Sequence, residues 1–321
     1  MKINIRQQRK TAGNTKRKIG IRRIMELNWE FLLMALPGAL LTFVFAYLPM
    51  FGLVIAFKSI DYSKGILRSP WVGLENFKFL FSSPDTFIIL RNTIGYNLVF
   101  IVLGVVIPVT LSILLSRLRN KIASKIYQTI MILPHFISWV VVSYIVYAFL
   151  NYRLGLVNGI LTRIGVEPKD WYTMISAWPF IIILLNTWKT FGYNSVVYLA
   201  TIAGIDQTLY EAAAIDGANK RQQTWYITLP ELANVVIIMT ILAIGQILSA
   251  NFDLFYAVPM QKGALFPVTN VISTFVYRAL KINGDVGMSS AAGFLQSVVG
   301  FLLVILTNSV VRRIDESKAM F

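Results

Sequence analysis

The chain contains no cysteine, which excludes disulfide scaffolds, thiolate metal sites and cysteine nucleophiles. It contains one histidine, His135, so a multi-histidine metal site is excluded as well. Charge is scarce: Asp, Glu, Lys and Arg make up 14% of the 321 residues, against about 25% in ordinary soluble domains. A soluble surface needs more than that. No G-x-x-x-x-G-K-[ST] stretch is present, so this phosphate cradle is missing. What fills the space is apolar: 56% of residues, with a mean hydropathy of +0.64. Such a chain is too apolar to be disordered.

Net charge is +15, and its location matters more than its size. Nine cations, Lys2, Arg6, Arg9, Lys10, Lys16, Arg17, Lys18, Arg22 and Arg23, open the chain with no acid among them. No nucleic-acid recognition motif accompanies them. Beside a membrane, such a run is a cytoplasmic flank drawn to anionic lipid.

A bilayer core of about 30 Å takes about 20 apolar residues of helix. Six stretches are long enough: 33–57, 87–115, 126–150, 175–203, 233–257 and 291–311. The expected fold is therefore an all-α integral membrane protein with six transmembrane helices. Residues 1–30 form a basic cytoplasmic segment, 31–315 the membrane domain and 316–321 a cytoplasmic tail. The cation distribution, with Arg117, Arg119, Lys121 and Lys125 crowded into 116–125, places both termini, that loop and loop 204–232 in the cytoplasm. Loops 58–86, 151–174 and 258–290 then face outside, the last with a candidate short helix at Val268–Leu280. Pro37, Pro49, Pro108, Pro134 and Pro179 are expected to kink the spans. Gly300 and the small residues of 289–293 suggest a close helix approach. Trp29, Tyr47, Tyr62, Trp71, Trp171, Tyr172 and Trp178 fit an interfacial aromatic belt.

Loop 204–232 carries the densest local signals. Asp206 suits the N-cap of a helix over Gln207–Ile215, and Gly217 the left-handed residue that ends it. Asn219 with Gln222 starts a second helix. Thr228 with Glu231 reads as a capping box for the fifth span, with Pro230 tolerated in its first turn. Alanines at 212 and 213 let another surface come close, and Glu211 projects one charge from the knob. A helix resting on the inner membrane face is the plainer reading of the same pattern.

Glu211-Ala212-Ala213, three residues, Gly217, nine residues, Ile227, one residue, Leu229-Pro230 resembles, without a gap, the EAA loop of ABC importer permeases. Trp71-Val72-Gly73-Leu74-Glu75-Asn76-Phe77, Arg91-Asn92-Thr93, Tyr198-Leu199-Ala200, Ile205-Asp206, Tyr277-Arg278 and Ala292-Gly293-Phe294-Leu295-Gln296-Ser297 look like the carbohydrate-importing class. The chain resembles LplB-type polysaccharide or oligosaccharide permeases, which include one membrane subunit of the alginate importer. The resemblance implies a type I importer bundle in a bacterial plasma membrane, moving an oligosaccharide by alternating access. It implies partners: a second homologous permease, two ABC ATPase subunits and an extracytoplasmic solute-binding protein. This chain would bind no cofactor, and ATP and Mg would sit in the partner ATPase. Glu211, Ala212, Ala213, Asp216, Gly217, Ile227, Leu229 and Pro230 would form the ATPase-coupling set. A secondary transporter, which would show internal repeats and ion-coupling carboxylates, and a non-transporting membrane subunit are the competing readings.

Polar residues at membrane depth are the candidate substrate pathway. They are Asn186, Trp188, Lys189, Tyr193 and Asn194 on the fourth span, with Gln246, Asn251 and Asp253 on the fifth. Amides and an indole suit the hydroxyl rims and C–H faces of sugars, and an ammonium suits a uronate. Lys189 alternatively pairs with Asp253 or another polar group between helices. Gln246 and Asp253, seven apart, fall on one face of a continuous helix. His135 reads as a satisfied interfacial residue rather than a proton carrier.

Overall fold

The computed structural model describes residues 21–78 and 85–321, so Lys2 to Lys18 of the basic segment lie outside the described residues. The chain divides into two compact units, one ending at Leu53 and one spanning Val54–Phe321. In the first, α1 (Ile21–Thr42) contains Pro37 and leads into a π turn at Phe43–Tyr47. The helix then tightens to a 3₁₀ form over Leu48–Phe57, where Pro49 has no N–H to give to the ladder. Phe31, Met34, Phe45 and Phe51 are all at least 70% exposed, a surface suited to lipid or to another subunit.

The second unit is built on α2 (Thr86–Ser116), α3 (Lys121–Phe136), α4 (Trp139–Leu150), α5 (Leu156–Arg163) and α6 (Trp178–Ala203). It continues with α7 (Gln207–Ile215), α8 (Lys220–Gly245), α9 (Phe252–Ala257), α10 (Ile272–Asn283) and α11 (Val286–Ile314). No strand occurs among the described residues, only an isolated bridge between Lys58 and Trp71. Helices α2, α3, α8 and α11 pack around α6 and each other, with α2–α6 and α3–α6 the most extensive contacts.

Glycines set how closely these helices cross. A Cβ at Gly192 of α6 would lie 1.7 Å from the Met131 carbonyl oxygen of α3. A Cβ at Gly300 of α11 would lie 2.3 Å from the Gly245 carbonyl oxygen of α8. The expected close approach at Gly300 is therefore present, and Gly192 adds a second that the sequence did not flag. Apolar burial concentrates in one cluster of Trp139, Val142, Tyr172, Trp178, Ile182, Leu254 and Phe255. Trp178, fully buried, and Tyr172, 6% exposed, thus belong to the core and not to an interfacial belt.

Two of the expected spans are broken. The third does not run through 126–150: α3 and α4 meet at a 96° bend across Ile137–Ser138, just after Pro134. The fifth does not run through 233–257. It starts earlier, inside α8, stops at Gly245 and resumes as the six-residue α9. Because residues 246–251 are not helical, Gln246 and Asp253 do not share a helix face. The Thr228–Glu231 capping box is absent as well. Thr228 sits in a π turn inside continuous α8, where it needs no cap. Among the described residues four helices are long and apolar enough to cross a membrane, or up to five if the bent pair is one span. Helix α6 has the length, 26 residues, but carries Asn186, Lys189 and Asn194. The external helix expected at Val268–Leu280 appears as α10, which starts four residues later and ends at Gly284 with φ +65°.

Candidate functional site

The loop between α6 and α8 is built by the devices its sequence announces. The Asp206 carboxylate accepts the Thr208 N–H at 2.9 Å and starts α7. That hydrogen bond holds the Asp206 carboxyl below the usual carboxylate range. Gly217 adopts φ +84°, and the Ala218 N–H reaches back to the Ala213 carbonyl at 2.8 Å, which closes α7. Asn219 and Gln222 form a full capping box: Asn219 Oδ1 accepts the Gln222 N–H at 2.9 Å, and Gln222 Oε1 accepts the Asn219 N–H at 2.8 Å. A tertiary link, absent from the sequence reading, joins the Tyr210 hydroxyl to Thr228 Oγ1 at 3.0 Å and ties α7 to the π turn of α8.

Within the coupling set, Glu211, Ala212, Asp216, Gly217 and Pro230 are exposed, while Ala213, Ile227 and Leu229 are half-buried. Leu229 packs on the cluster of Val109, Tyr198, Ile202 and Leu232. Beside Glu211 the loop also exposes Ile215 (87%), Trp225 (61%) and Tyr226 (80%). Apolar residues bared on a capped, two-helix projection are what a docking knob presents. Trp225 and Tyr226 lie within the nine-residue interval of the motif and were not singled out from sequence.

At membrane depth the predicted polar residues separate into two groups. Asn194 and Gln246 line a cavity of about 300 Å³ between α2, α6 and α8, together with Asn97, Phe100, Tyr198 and Ser249. No charged residue lines it. Its donors and acceptors are amides and hydroxyls, with an aromatic ring beside them. The chain around Gln246 is held open by α2 and α11: Asn97 Nδ2 donates to the Ile247 carbonyl at 2.8 Å and Gln296 Nε2 to the Leu248 carbonyl at 2.6 Å. Asn251 does not face this cavity. Its Oδ1 caps α9 through the Leu254 N–H at 3.1 Å, and Asp253 stands exposed in the first turn of α9.

Lys189 belongs to the other group. It is 8% exposed, and its ammonium donates to the carbonyls of Pro134 (3.2 Å), His135 (2.8 Å) and Ile137, with the Trp139 ring 5.3 Å away. It therefore does not pair with Asp253. It caps the free carbonyl end of α3 at the bend, while the Ser138 hydroxyl caps the start of α4 through the Val141 N–H at 3.3 Å. Three bonds from a charged donor, each contributing about 1.5–3 kcal/mol, exceed the ~2.5–3.5 kcal/mol cost of a lysine at mid-span. Tyr193 stacks on His135 at the same bend with ring centroids 4.3 Å apart, and both residues are exposed. Trp188 packs on the main core cluster, and Asn186 is half-buried without lining the cavity. No group of three or more metal-ligating side chains occurs among the described residues.

Residues 101–316 match the family described as binding-protein-dependent transport system inner membrane component. The chain is 34% identical over 301 residues to the polygalacturonan/rhamnogalacturonan transport system permease protein YteP of Bacillus subtilis (strain 168), covering 94% of this chain and 93% of YteP. It is 33% identical over 288 residues to protein LplB of the same organism, covering 90% of each. Among solved structures, a chain of a bacterial ABC transporter involved in the import of the acidic polysaccharide alginate superposes with a TM-score of 0.81. The two are 32% identical, over 92% of this chain and 99% of that one. The same transporter type, in complex with an alginate pentasaccharide-bound periplasmic protein, matches equally, with a TM-score of 0.81 and 31% identity.

Proposed function

On the premise that the chain belongs to the family of binding-protein-dependent transport system inner membrane components, we propose how it works as the oligosaccharide permease subunit of an ATP-driven importer. The loop over residues 206–228 docks in a cleft of a separate ATPase subunit. There Glu211 pairs with a basic side chain, and Ile215, Trp225 and Tyr226 supply apolar contact. Closure of the ATPase pair around ATP and Mg moves the knob as a rigid body, because Asp206, Gly217 and the Asn219–Gln222 box brace it internally. The motion passes into α6 and α8, which it joins, and opens the cavity to one side of the membrane or the other. A second permease completes the passage, and an extracytoplasmic binding protein delivers the sugar. Both termini lie in the cytoplasm.

Within the cavity, Asn97, Asn194, Gln246 and Ser249 offer hydrogen bonds to hydroxyls, and Phe100 offers an apolar face to a sugar ring. The reading that the cargo is acidic rests on the relatives, whose names concern polygalacturonan, rhamnogalacturonan and alginate. Lys189 lends it no support in this conformation, since its ammonium is spent on three backbone carbonyls. Tyr193, Asn251 and Asp253 do not line this cavity.

The observation that carries the reading is the gapless EAA spacing laid out on an exposed, internally capped helix–turn–helix. Its test is Glu211→Lys in the transporter reconstituted with its binding protein and ATPase. Uptake of uronate oligosaccharide should fall at least tenfold while the subunits still copurify. Uptake at the normal rate would remove Glu211 from the coupling role.

A further inference from the structure

A second cavity, of about 580 Å³, lies where the 116–120 turn meets the base of the coupling loop. Arg117, Arg119 and Lys220 line it, and no carboxylate does. Ser116, Gln207, Tyr210, Gln223 and Thr228 add polar groups, and Ile113, Leu118 and Ile202 form an apolar side. The Arg117 guanidinium donates to the Lys220 carbonyl, so the two cation-bearing segments are already drawn together. Among the described residues Arg119 makes no ion pair and no side-chain hydrogen bond, and the Lys220 ammonium reaches only Gln223 Oε1 at 3.3 Å. Three like charges gathered around one hollow repel each other, and no carboxylate in the lining offsets them. Asp206, the neighbour of Gln207, is occupied by the Thr208 amide. The arrangement lacks one thing, an anion.

We propose that this cavity binds a phosphate group, held by Arg117, Arg119 and Lys220, and that the bound phosphate braces the coupling loop against the 116–120 turn. Guanidinium groups suit phosphate oxygens because their N–H groups donate in pairs. The apolar side formed by Ile113, Leu118 and Ile202 lies next to the cations, as an acyl chain lies next to a lipid headgroup. A basic pocket between spans at the cytoplasmic surface is a recurrent seat for anionic headgroups. The inference rests on the cytoplasmic placement of residues 116–125 and 204–228 given above. A phosphate there would neutralise the cluster and stiffen the two segments that the coupling stroke must move together.

The test uses the assembled transporter in nanodiscs. One arm compares phosphatidylcholine with an equimolar mixture of phosphatidylcholine and phosphatidylglycerol. The other keeps phosphatidylcholine and adds glycerol phosphate to the buffer. Native mass spectrometry and thermal unfolding are read for the wild type, for Arg119→Gln with Lys220→Gln, and for the charge-preserving pair Arg119→Lys with Lys220→Arg. Retention of phosphatidylglycerol by the wild type, weakened about thirtyfold by loss of two surface cations and kept by the charge-preserving pair, supports a lipid headgroup. The same pattern with glycerol phosphate supports a soluble phosphate ester. No response of the wild type to either probe, or an equal response from the neutral pair, overturns the proposal. Because the chain has no cysteine, Ile215→Cys of the full chain, expressed without its ATPase and probed with an impermeant maleimide in intact and then in permeabilised cells, reports the side independently. Labelling from outside would overturn the cytoplasmic reading. Labelling from inside without phosphate binding would overturn the phosphate site alone.

Discussion

The two broken spans solve one problem in different ways. A helix that stops inside a bilayer leaves carbonyls with no water to satisfy them. At 137–138 the answer is a charge: Lys189 alone donates to the Pro134 and His135 carbonyls of α3 and to that of Ile137 just beyond it. At 246–251 the answer is neutral and shared, with Asn97 from α2 and Gln296 from α11 each taking one carbonyl. The charged seal lies beside the buried Trp139 ring, whereas the neutral seal borders the cavity. An ammonium with three acceptors holds a bend from one side chain. Amides of adjacent helices hold a segment whose exchange for a new partner costs less. The first break is therefore expected to be the stiffer corner, and the second the more yielding one.

Lys189→Met should break this contrast most strongly. It strands the His135 and Ile137 carbonyls at about 1–3 kcal/mol each, while the Pro134 carbonyl keeps the Ile137 N–H, so thermal unfolding of the purified complex should show a loss of about 2–6 kcal/mol. Lys189→Arg should recover part of it. A Met variant as stable as the parent would mean the bend does not depend on the ammonium. Gln296→Leu should cost less, about 1–3 kcal/mol, because one carbonyl is stranded. Its larger signature should be in transport: if the 246–251 segment moves, uptake changes by more than the drop in stability accounts for. A proportional fall in both would erase the proposed difference between the breaks.

The smallest effect concerns the coupling loop, whose brace is local and exposed. Asp206 stabilises α7 through its charged form, and its folded value lies below the unfolded one of about 3.9. The contribution is therefore complete above that unfolded value and is lost as pH falls through the lower folded value. Asp206→Asn keeps the acceptor and should remove the acid sensitivity, whereas Asp206→Ala should speed hydrogen exchange of the α7 amides at every pH. An Asn variant that still loosens in acid would place the sensitive group elsewhere.

Legibility in the sequence tracks the range of the interactions. Asp206, Gly217 and the Asn219–Gln222 box act within five residues of themselves, and each is found where its neighbours indicated. The Thr228–Glu231 box looked equally good and is not made, because the preceding turn continues as π-helix and leaves no terminus to cap. Composition located the hydrophobic stretches, but Pro134 marked only the neighbourhood of the third span's break, and nothing local marked the fifth's. Lys189 showed that a partner was required without showing which. Its partners lie 52 to 55 residues away, and carbonyl acceptors carry no side-chain signature. Gly192 was silent for the same reason, since the atom it makes room for is the Met131 backbone oxygen.

What the amino-acid order determined unaided was the apolar, cation-flanked character of a membrane chain and the capped knob of residues 206–223, because hydropathy and capping are properties of neighbours. What only the tertiary structure decided was where two spans break, which amides and which lysine seal them, and which polar residues face a cavity. Those outcomes depend on carbonyls freed in one helix meeting donors on another, and such meetings exist only once the helices have packed.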